Sequence, residues 1–382
     1  MKKLLALALI ALFAGMAFTG CEKEELRFKS KSFGELAPEL QKLYMQMPKS
    51  DYGKISIVGD DILKFESEEH YEDVYESLKT QYELWTDLFV QKYGSEGELK
   101  LNQTAESLDF DENFPLQIFE EKYGIIGKNL RSECAIKEKI WMDKGTKDLP
   151  PIDSIINCPI EQTLYSKFHE ICINNTIYQF RNNGTCILIP LSVVNIIDSI
   201  RKIVDINNLK ELFPYLKVQL NEEGCHSSYF HKEGFYFPYE NNTRNFTWSF
   251  LYKKAKFHRY KATVTMTNYK LRNGKWKKEL VKSDIGFSSN IYNYNFGDIT
   301  CTPNGNLGET LYNERYFRSE SITKRTLPVS TEPDSSSVQI FDIYLGRNEL
   351  NAFHIEPEES YVKLKYDGIE YKFNVNSGCL IE

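Results

Sequence analysis

No repeat of fixed period, no low-complexity tract and no collagen-like pattern runs through these 382 residues, which excludes solenoids, fibrous chains and extended disorder. Cysteine is scarce: eight in the whole chain are too few for a disulfide-stapled miniprotein. Positive charge is also short, with 47 Lys and Arg against 54 Asp and Glu. A net charge of −7 excludes general nucleic-acid binding, which needs a cationic surface to neutralise phosphates. The familiar catalytic signatures are missing as well: Gly-x-Ser-x-Gly, His-Glu-x-x-His and the phosphate-cradling glycine loop. Ser321 and Lys324 satisfy Ser-x-x-Lys, but the companion motifs of penicillin-recognising enzymes do not accompany them. What remains is a globular composition, 41% hydrophobic, long enough for one large or two medium domains.

The amino terminus is informative. Lys2 and Lys3 form a basic start, and Leu4 to Ala17 is apolar and uncharged, as in a secretory signal. The uncharged stretch stops at Cys21, short of a membrane-spanning helix, and no other stretch reaches that length. Phe18-Thr19-Gly20-Cys21 resembles the lipobox of bacterial lipoproteins, in which cleavage precedes an acylated cysteine; Phe18 departs from the usual aliphatic residue. Acylation at Cys21, with palmitate among the acyl chains, would hold the protein firmly, since each buried methylene contributes ~0.8 kcal/mol. Glu22-Lys23-Glu24-Glu25 resembles the acidic post-cysteine signal that sends Bacteroidota lipoproteins to the outer face of the outer membrane. The expected location is therefore the outer membrane, lipid-anchored and exposed at the cell surface. Residues 1–20 are the expected signal peptide and 21–50 a lipidated tether.

Residues 51–150 are expected to form an acidic, mostly helical region. Ser67 is an N-cap candidate ahead of Tyr71, Val74, Tyr75, Leu78, Tyr82, Trp85 and Phe89, which fall at helical spacing up to Gly94. Further helices are expected from Pro115 to Gly124 and from about Asn129 to Lys144. From residue 151 to 382 the period changes to that of antiparallel strands. Asn183-Gly184, Asn273-Gly274 and Asp367-Gly368, each flanked by alternating apolar residues, signal hairpins. Val193 to Phe213 is a helical insertion within this β-rich region. The expected fold class is α+β: an N-terminal helical region followed by an antiparallel β-rich region with a helical insertion.

Three patches carry a family resemblance. Ile62-Leu63-Lys64-Phe65 with Ser67-Glu68-Glu69-His70-Tyr71, the block from Phe114 to Arg131 (including Phe119-Glu120 and Asn129-Leu130-Arg131), and Asn273-Gly274-Lys275-Trp276-Lys277-Lys278 are similar to uncharacterised Bacteroidota lipoproteins. The resemblance implies a family and a location, and no activity.

Charge is strongly segregated. Residues 51–120 carry 18 Asp and Glu against 5 Lys, whereas residues 253–282 carry 11 Lys and Arg against Glu279 alone. In the Asn273-Gly274 hairpin, Arg272 falls opposite Lys275 and Lys270 opposite Lys277, with Lys278 adjacent. Like charges facing across strands destabilise unless an anion offsets them. That anion is either an external polyanion such as a polysaccharide, or the protein's own acidic helices; alternatively the lysines guard a sheet edge. Twelve aromatic residues lie between Tyr229 and Tyr260. Among them Phe246, Trp248 and Phe250 alternate, either as a glycan-stacking platform or as the buried face of a sheet.

Metal-like groupings are weak. Cys225, His226, His231 and Glu233 match no zinc spacing, and Asp109, Asp111, Asn113 and Glu120 follow a calcium-loop pattern that has Phe114 where glycine is required. No metal and no cofactor is expected. Beyond Cys21 seven cysteines remain, an odd number. Ser154, in Asp153-Ser154-Ile155, resembles a Bacteroidota O-glycosylation acceptor, as does Ser199. The function expected from all this is a non-catalytic binding protein for an extracellular polymer or partner, without nucleic acid; the alternatives are a glycan-degrading hydrolase and a purely structural envelope lipoprotein.

Overall fold

The computed structural model describes residues 30–374, apart from 182–184, 220–227, 238–242, 256–258, 296–300, 307–309, 318 and 326–350. The chain enters through α1 (Pro38–Tyr44) and a short ribbon of β1 (Ser56–Val58) and β2 (Ile62–Phe65). The expected long helix follows as α2 (Glu68–Tyr93), and Ser67 caps it, its Oγ accepting the His70 N–H at 3.1 Å. Then come α3 (Glu98–Ser107), α4 (Phe114–Tyr123), α5 (Leu130–Lys144) and α6 (Pro159–Leu164). Gly124 and Gly145 end α4 and α5 in the left-handed conformation that favours glycine.

After α6 the chain adds β3 (Glu170–Ile173), β4 (Thr176–Phe180) and β5 (Cys186–Pro190), then α7 (Ile197–Lys202), α8 (Ile206–Leu212) and β6 (Lys217–Gln219). These strands join the first two in one sheet ordered β1-β2-β3-β4-β5-β6. Its neighbours are antiparallel except β2 and β3, which run parallel, with Phe65 beside Ile173. Both faces of this sheet are covered. Leu63, Phe65, Ile171 and Ile173 pack on α2, α4 and α6, while Ile62, Cys172, Ile177, Ile187 and Ile189 pack on Ile197, Ile200 and Leu209. A strand buried on both faces reads as a continuous apolar run, which is why Ile171-Cys172-Ile173 does not alternate.

Two expected boundaries differ from this arrangement. Residues 51–150 supply β1 and β2 to a sheet completed by residues 170–219, so no structural division falls at 150. From Ser30 onward the expected tether is folded chain: Leu36, Leu40 and Leu43 sit in a core with Trp85, Phe89 and Phe114, and the Lys31 N–H donates to Gln117 at 2.9 Å. The helical insertion is also broken in two. Ile203 leaves helical geometry, and Asp205 starts α8 afresh by accepting the Asn207 N–H at 2.7 Å.

The rest of the chain is a pair of packed sheets. One holds β7 (Ser228–Tyr236), β8 (Arg244–Ala255), β9 (Arg259–Arg272) and β10 (Lys275–Lys278). The other is built around β11 (Val281–Asn295), flanked on one edge by β12 (Cys301–Asn306) and β13 (Thr310–Phe317). A further strand, β14 (Ser319–Arg325), returns to pair with the first half of β9. Finally β15 (Asn351–Tyr366) pairs the free side of β11, and β16 (Ile369–Asn374) pairs β15. The Asp367-Gly368 hairpin has the expected register, Leu364 opposite Tyr371 and Val362 opposite Phe373. Both turn residues have positive φ, 51° and 75°, as a two-residue type I′ turn requires.

The two sheets meet through aromatics. Phe246 lies 5.4 Å from Tyr366, Phe237 5.3 Å from Tyr371, and Trp248 6.0 Å from Phe373. Phe246 and Trp248 are completely buried. This corrects the glycan-stacking expectation: rings pressed into the space between two sheets have no face to offer a sugar. The Phe250 side chain lies outside the described residues, as do the Asn183-Gly184 turn, Cys225 and His226, and the side chains of His231 and Glu233. So do the side chains of Ser321 and Lys324. Lys31 and Asp109 form an ion pair, Asp111 accepts Gln117 Nε2 and the Asn113 N–H, and Glu120 is bound to Arg131. The four residues of the calcium-like pattern thus hold helix ends in place. Among the described residues no group of three or more His, Cys, Asp or Glu converges as a metal site.

Candidate functional site

The β9–β10 hairpin turns on Asn273 and Gly274, again with positive φ, 51° and 74°. Its register is the expected one, with Arg272 opposite Lys275 and Lys270 opposite Lys277. The cations are offset from within the protein. Lys277 and Arg272 both pair with Glu106 of α3, Arg272 also with Glu279, Lys275 with Asp143 of α5 at 3.2 Å, and Lys278 with Glu138 of α5 at 2.8 Å. Of the three readings, internal acidic partners are present, two of them on α5 beyond residue 120, and β10 is also the edge strand of its sheet. Lys270 is half-buried at the strand end.

Beneath the ion pairs lies an apolar lock. The indoles of Trp141 and Trp276 stack with centroids 5.8 Å apart and planes within 4°, and Tyr269 meets Trp141 edge-on at 5.0 Å. Each indole N–H is satisfied, Trp276 donating to the Thr146 carbonyl at 2.7 Å and Trp141 to the Asp148 carbonyl at 2.8 Å. The hairpin tip and the end of α5 approach so closely that a Cβ on Gly145 would stand 1.8 Å from the Gly274 carbonyl oxygen. Asn102 of α3 completes the junction. Its side chain accepts the Leu280 N–H and donates to the Leu280 carbonyl, both at 2.8 Å.

Hydrogen bonding to Lys277 holds the Glu106 carboxyl below its ordinary value, and Lys139 first, then Lys275, do the same for Asp143. Carboxyls lowered by folding contribute stability that is complete above their unfolded values, 4.5 and 3.8, and disappears as pH falls through the folded ones. Both carboxyls are well exposed, so the effect is small. Lys277→Gln is expected to cost about 0.5 kcal/mol by urea unfolding near neutral pH, and less in high salt or below pH 3. A loss above about 2 kcal/mol would show that the pair is not a surface interaction.

Beside the hairpin the sandwich presents a different surface to the helices. β8 alternates Asn245, Thr247 and Ser249 with the aromatics, and all three polar residues are buried. Thr267 and Thr265 of β9 pair with Thr247 and Ser249 across the strands. The result is a wall of short neutral polar side chains under the loop that precedes α6. Asn157 bridges to it, its Nδ2 donating to Ser249 Oγ at 3.0 Å and its backbone carbonyl accepting from Thr265 Oγ1 at 3.2 Å. Between wall, loop and α5 lies a cleft of about 90 Å³. Its charged rim consists of Arg131, Glu138, Asp153 and Lys278.

Every rim charge has a partner. Arg131 Nε donates to Glu120 at 2.6 Å, and Lys278 pairs with Glu138, which also accepts the Tyr269 hydroxyl. Burial works to lower the Lys278 ammonium, and the Glu138 carboxylate outweighs it, leaving a raised pKa. Burial works to raise the Asp153 carboxyl, yet His169 at 2.8 Å and the N–H groups of Ile155 and Ile156 outweigh it and hold it below the ordinary value. Cys134, also on the cleft, is held well above the ordinary thiol value, first by burial and then by Asp153. It is no nucleophile. Cys134, Cys158, Cys172 and Cys186 are all free thiols. Ser154 is exposed on the loop that Asp153 anchors, and Ser199 is exposed on α7.

The polar wall is the part that sequence reasoning passed over. Its one signal is the Asn-Phe-Thr-Trp-Ser run itself: the positions between the aromatics are short and neutral, whereas a wet strand face, as at Glu370 and Lys372, carries long charged residues.

No family model and no curated protein matches the chain. Among solved structures it is weakly similar to a DUF4848 family protein from Bacteroides thetaiotaomicron, at 9% identity and a TM-score of 0.15, over 84% of this chain and 99% of that one. A superposition so loose leaves fold and function to rest on this chain's own residues.

Proposed function

We propose that this chain is a lipoprotein of the bacterial outer membrane, acylated at Cys21 and facing outward, whose body is a non-catalytic binding protein for an extracellular ligand. The observation that carries the binding role is the cleft of neutral polar side chains between sandwich and helices. Convergent hydroxyls and amides in a concavity are recognition chemistry. A hydrolase would need a second arrangement, one carboxyl kept protonated near neutral pH beside one kept ionised. Asp153 suits only the ionised role, and Glu138 is engaged by Lys278 and the Tyr269 hydroxyl.

Among the described residues no helix is long and apolar enough to cross a membrane, so membrane attachment is assigned to the acyl chains at Cys21. Cys21→Ala is expected to abolish incorporation of labelled palmitate and to move the protein from the membrane fraction to the soluble one. Undiminished labelling or an unchanged fraction would refute the anchor. The purified mature chain is expected to retain specific glycans on an array; retention of none would refute the binding role.

A further inference from the structure

The sheet path β12-β11-β15-β16 ends at β16, and among the described residues no strand follows it. An edge strand presents a row of backbone N–H and C=O groups to any strand that can lie beside it. Which residues do so here follows from the turn. In a two-residue hairpin the residues flanking the turn, Tyr366 and Ile369, exchange backbone hydrogen bonds. Bonded and non-bonded pairs then alternate along the ladder. Ile369, Tyr371 and Phe373 therefore turn their backbone groups to β15, whereas Glu370 and Lys372 turn theirs outward.

The side chains sort by the same alternation. Tyr371 and Phe373 face the other sheet, 5.0 Å and 5.3 Å from Phe235, and Ile369, at the end of that row, is 48% exposed. Glu370 and Lys372 are exposed on the opposite face, Lys372 resting over the Tyr361 ring. Within the hairpin Glu370 falls opposite Lys365, a complementary pair, but Lys372 falls opposite Lys363. Like charges directly opposite are unfavourable, so an acid on the open side of Lys372 would offset its neighbour.

The run Ile369-Glu370-Tyr371-Lys372-Phe373 is complementary to itself read backwards. We propose that β16 pairs with β16 of a second copy of this chain, antiparallel about a two-fold axis at Tyr371. Outward backbone groups of both strands must meet, so the axis can pass through Glu370, Tyr371 or Lys372. An axis at Glu370 sets glutamate against glutamate, and one at Lys372 sets lysine against lysine. The axis at Tyr371 sets Glu370 against the partner's Lys372 and Lys372 against the partner's Glu370, both as hydrogen-bonded pairs. On the apolar face it lays Ile369 beside the partner's Phe373. Each Lys372 gains the acid that its own ladder does not supply. A lysine on an edge guards against pairing, and here it excludes every strand that does not bring an acid to that position. The contact uses no residue of the cleft, so it stands apart from the binding role proposed above.

The test is sedimentation velocity on the mature chain carrying Cys21→Ala, which keeps acyl chains out of the association. A strand contact this short belongs to the small, transient class of interface, so a monomer–dimer equilibrium with Kd at or below about 100 μM is expected. Glu370→Lys and Lys372→Glu, both at exposed positions, are each expected to weaken it at least tenfold, with the thermal midpoint within a few degrees of the parent. Mixed in equal amounts, the two variants are expected to form a heterodimer within about threefold of the parent's affinity, because the lysines of one then face the glutamates of the other. A parent that stays monomeric up to about 200 μM would overturn the pairing. So would single variants that dimerise as the parent does, or a mixture no tighter than its components.

Discussion

Alanine at Gly145 is expected to destabilise the protein by roughly 3 kcal/mol or more, seen as a lower urea midpoint with an unchanged slope. Two effects add. The residue has φ of +61°, where a side chain is strained by about 1 kcal/mol. The added methyl also collides with the Gly274 carbonyl, whose backbone cannot yield as a flexible side chain could. For the collision to be relieved, the hairpin must withdraw from α5, pulling Trp276 off Trp141 and opening the ion pairs above them. Gly124 is the control. Its φ is +64°, nearly the same, but nothing lies within 4 Å of its Cβ position. Gly124→Ala should therefore show the conformational part alone, about 1 kcal/mol. Equal losses at the two sites would mean that the close approach of hairpin and helix contributes nothing.

The second large effect is expected at Glu120. Its carboxylate, fully buried, receives Arg131 through Nε and Nη2, and Asn129 Nδ2 as well. Glu120→Leu leaves a guanidinium buried without its counter-charge, and a loss of about 3–5 kcal/mol should follow in urea unfolding. Breaking a buried pair is costlier than exchanging it for apolar packing. The double variant Glu120→Leu with Arg131→Met should consequently recover most of the loss, ending within about 2 kcal/mol of the parent. A double variant as unstable as the single one would show that the network's hydrogen-bond geometry, and not the orphaned charge, is what matters.

Local signals in the sequence anticipated local structure well. Ser67, Asn129, Gly124 and Gly145 mark helix ends because capping is decided within one turn of chain, and the Asn-Gly and Asp-Gly pairs set their hairpin registers for the same reason. Long-range pairing was not legible. Ile62-Leu63-Lys64-Phe65 is four residues long, and nothing in it announces a parallel partner at Cys172 and Ile173. The site follows the same rule. The excess charge on residues 253–282 is visible in the sequence, but its neutralisation by Glu106, Glu138 and Asp143 depends on two helices arriving from elsewhere. Alternation in β8 showed that one face is aromatic; that the opposite face is also buried follows only from the loop around Asn157 lying across it.

The parallel pairing of β2 with β3 also orders events in time. Its partners are separated by more than a hundred residues that form most of the helices, so loop closure must bring distant chain together before the sheet gains any pairing energy. A chain emerging amino end first therefore presents β1 and β2 as an unpaired ribbon until residue 173 has followed. During that interval Leu63 and Phe65, later fully covered, remain open to wrong partners. Refolding is expected to be slow for a protein so rich in helix, and the delay should be set by when β3 arrives, not by how fast α2 winds.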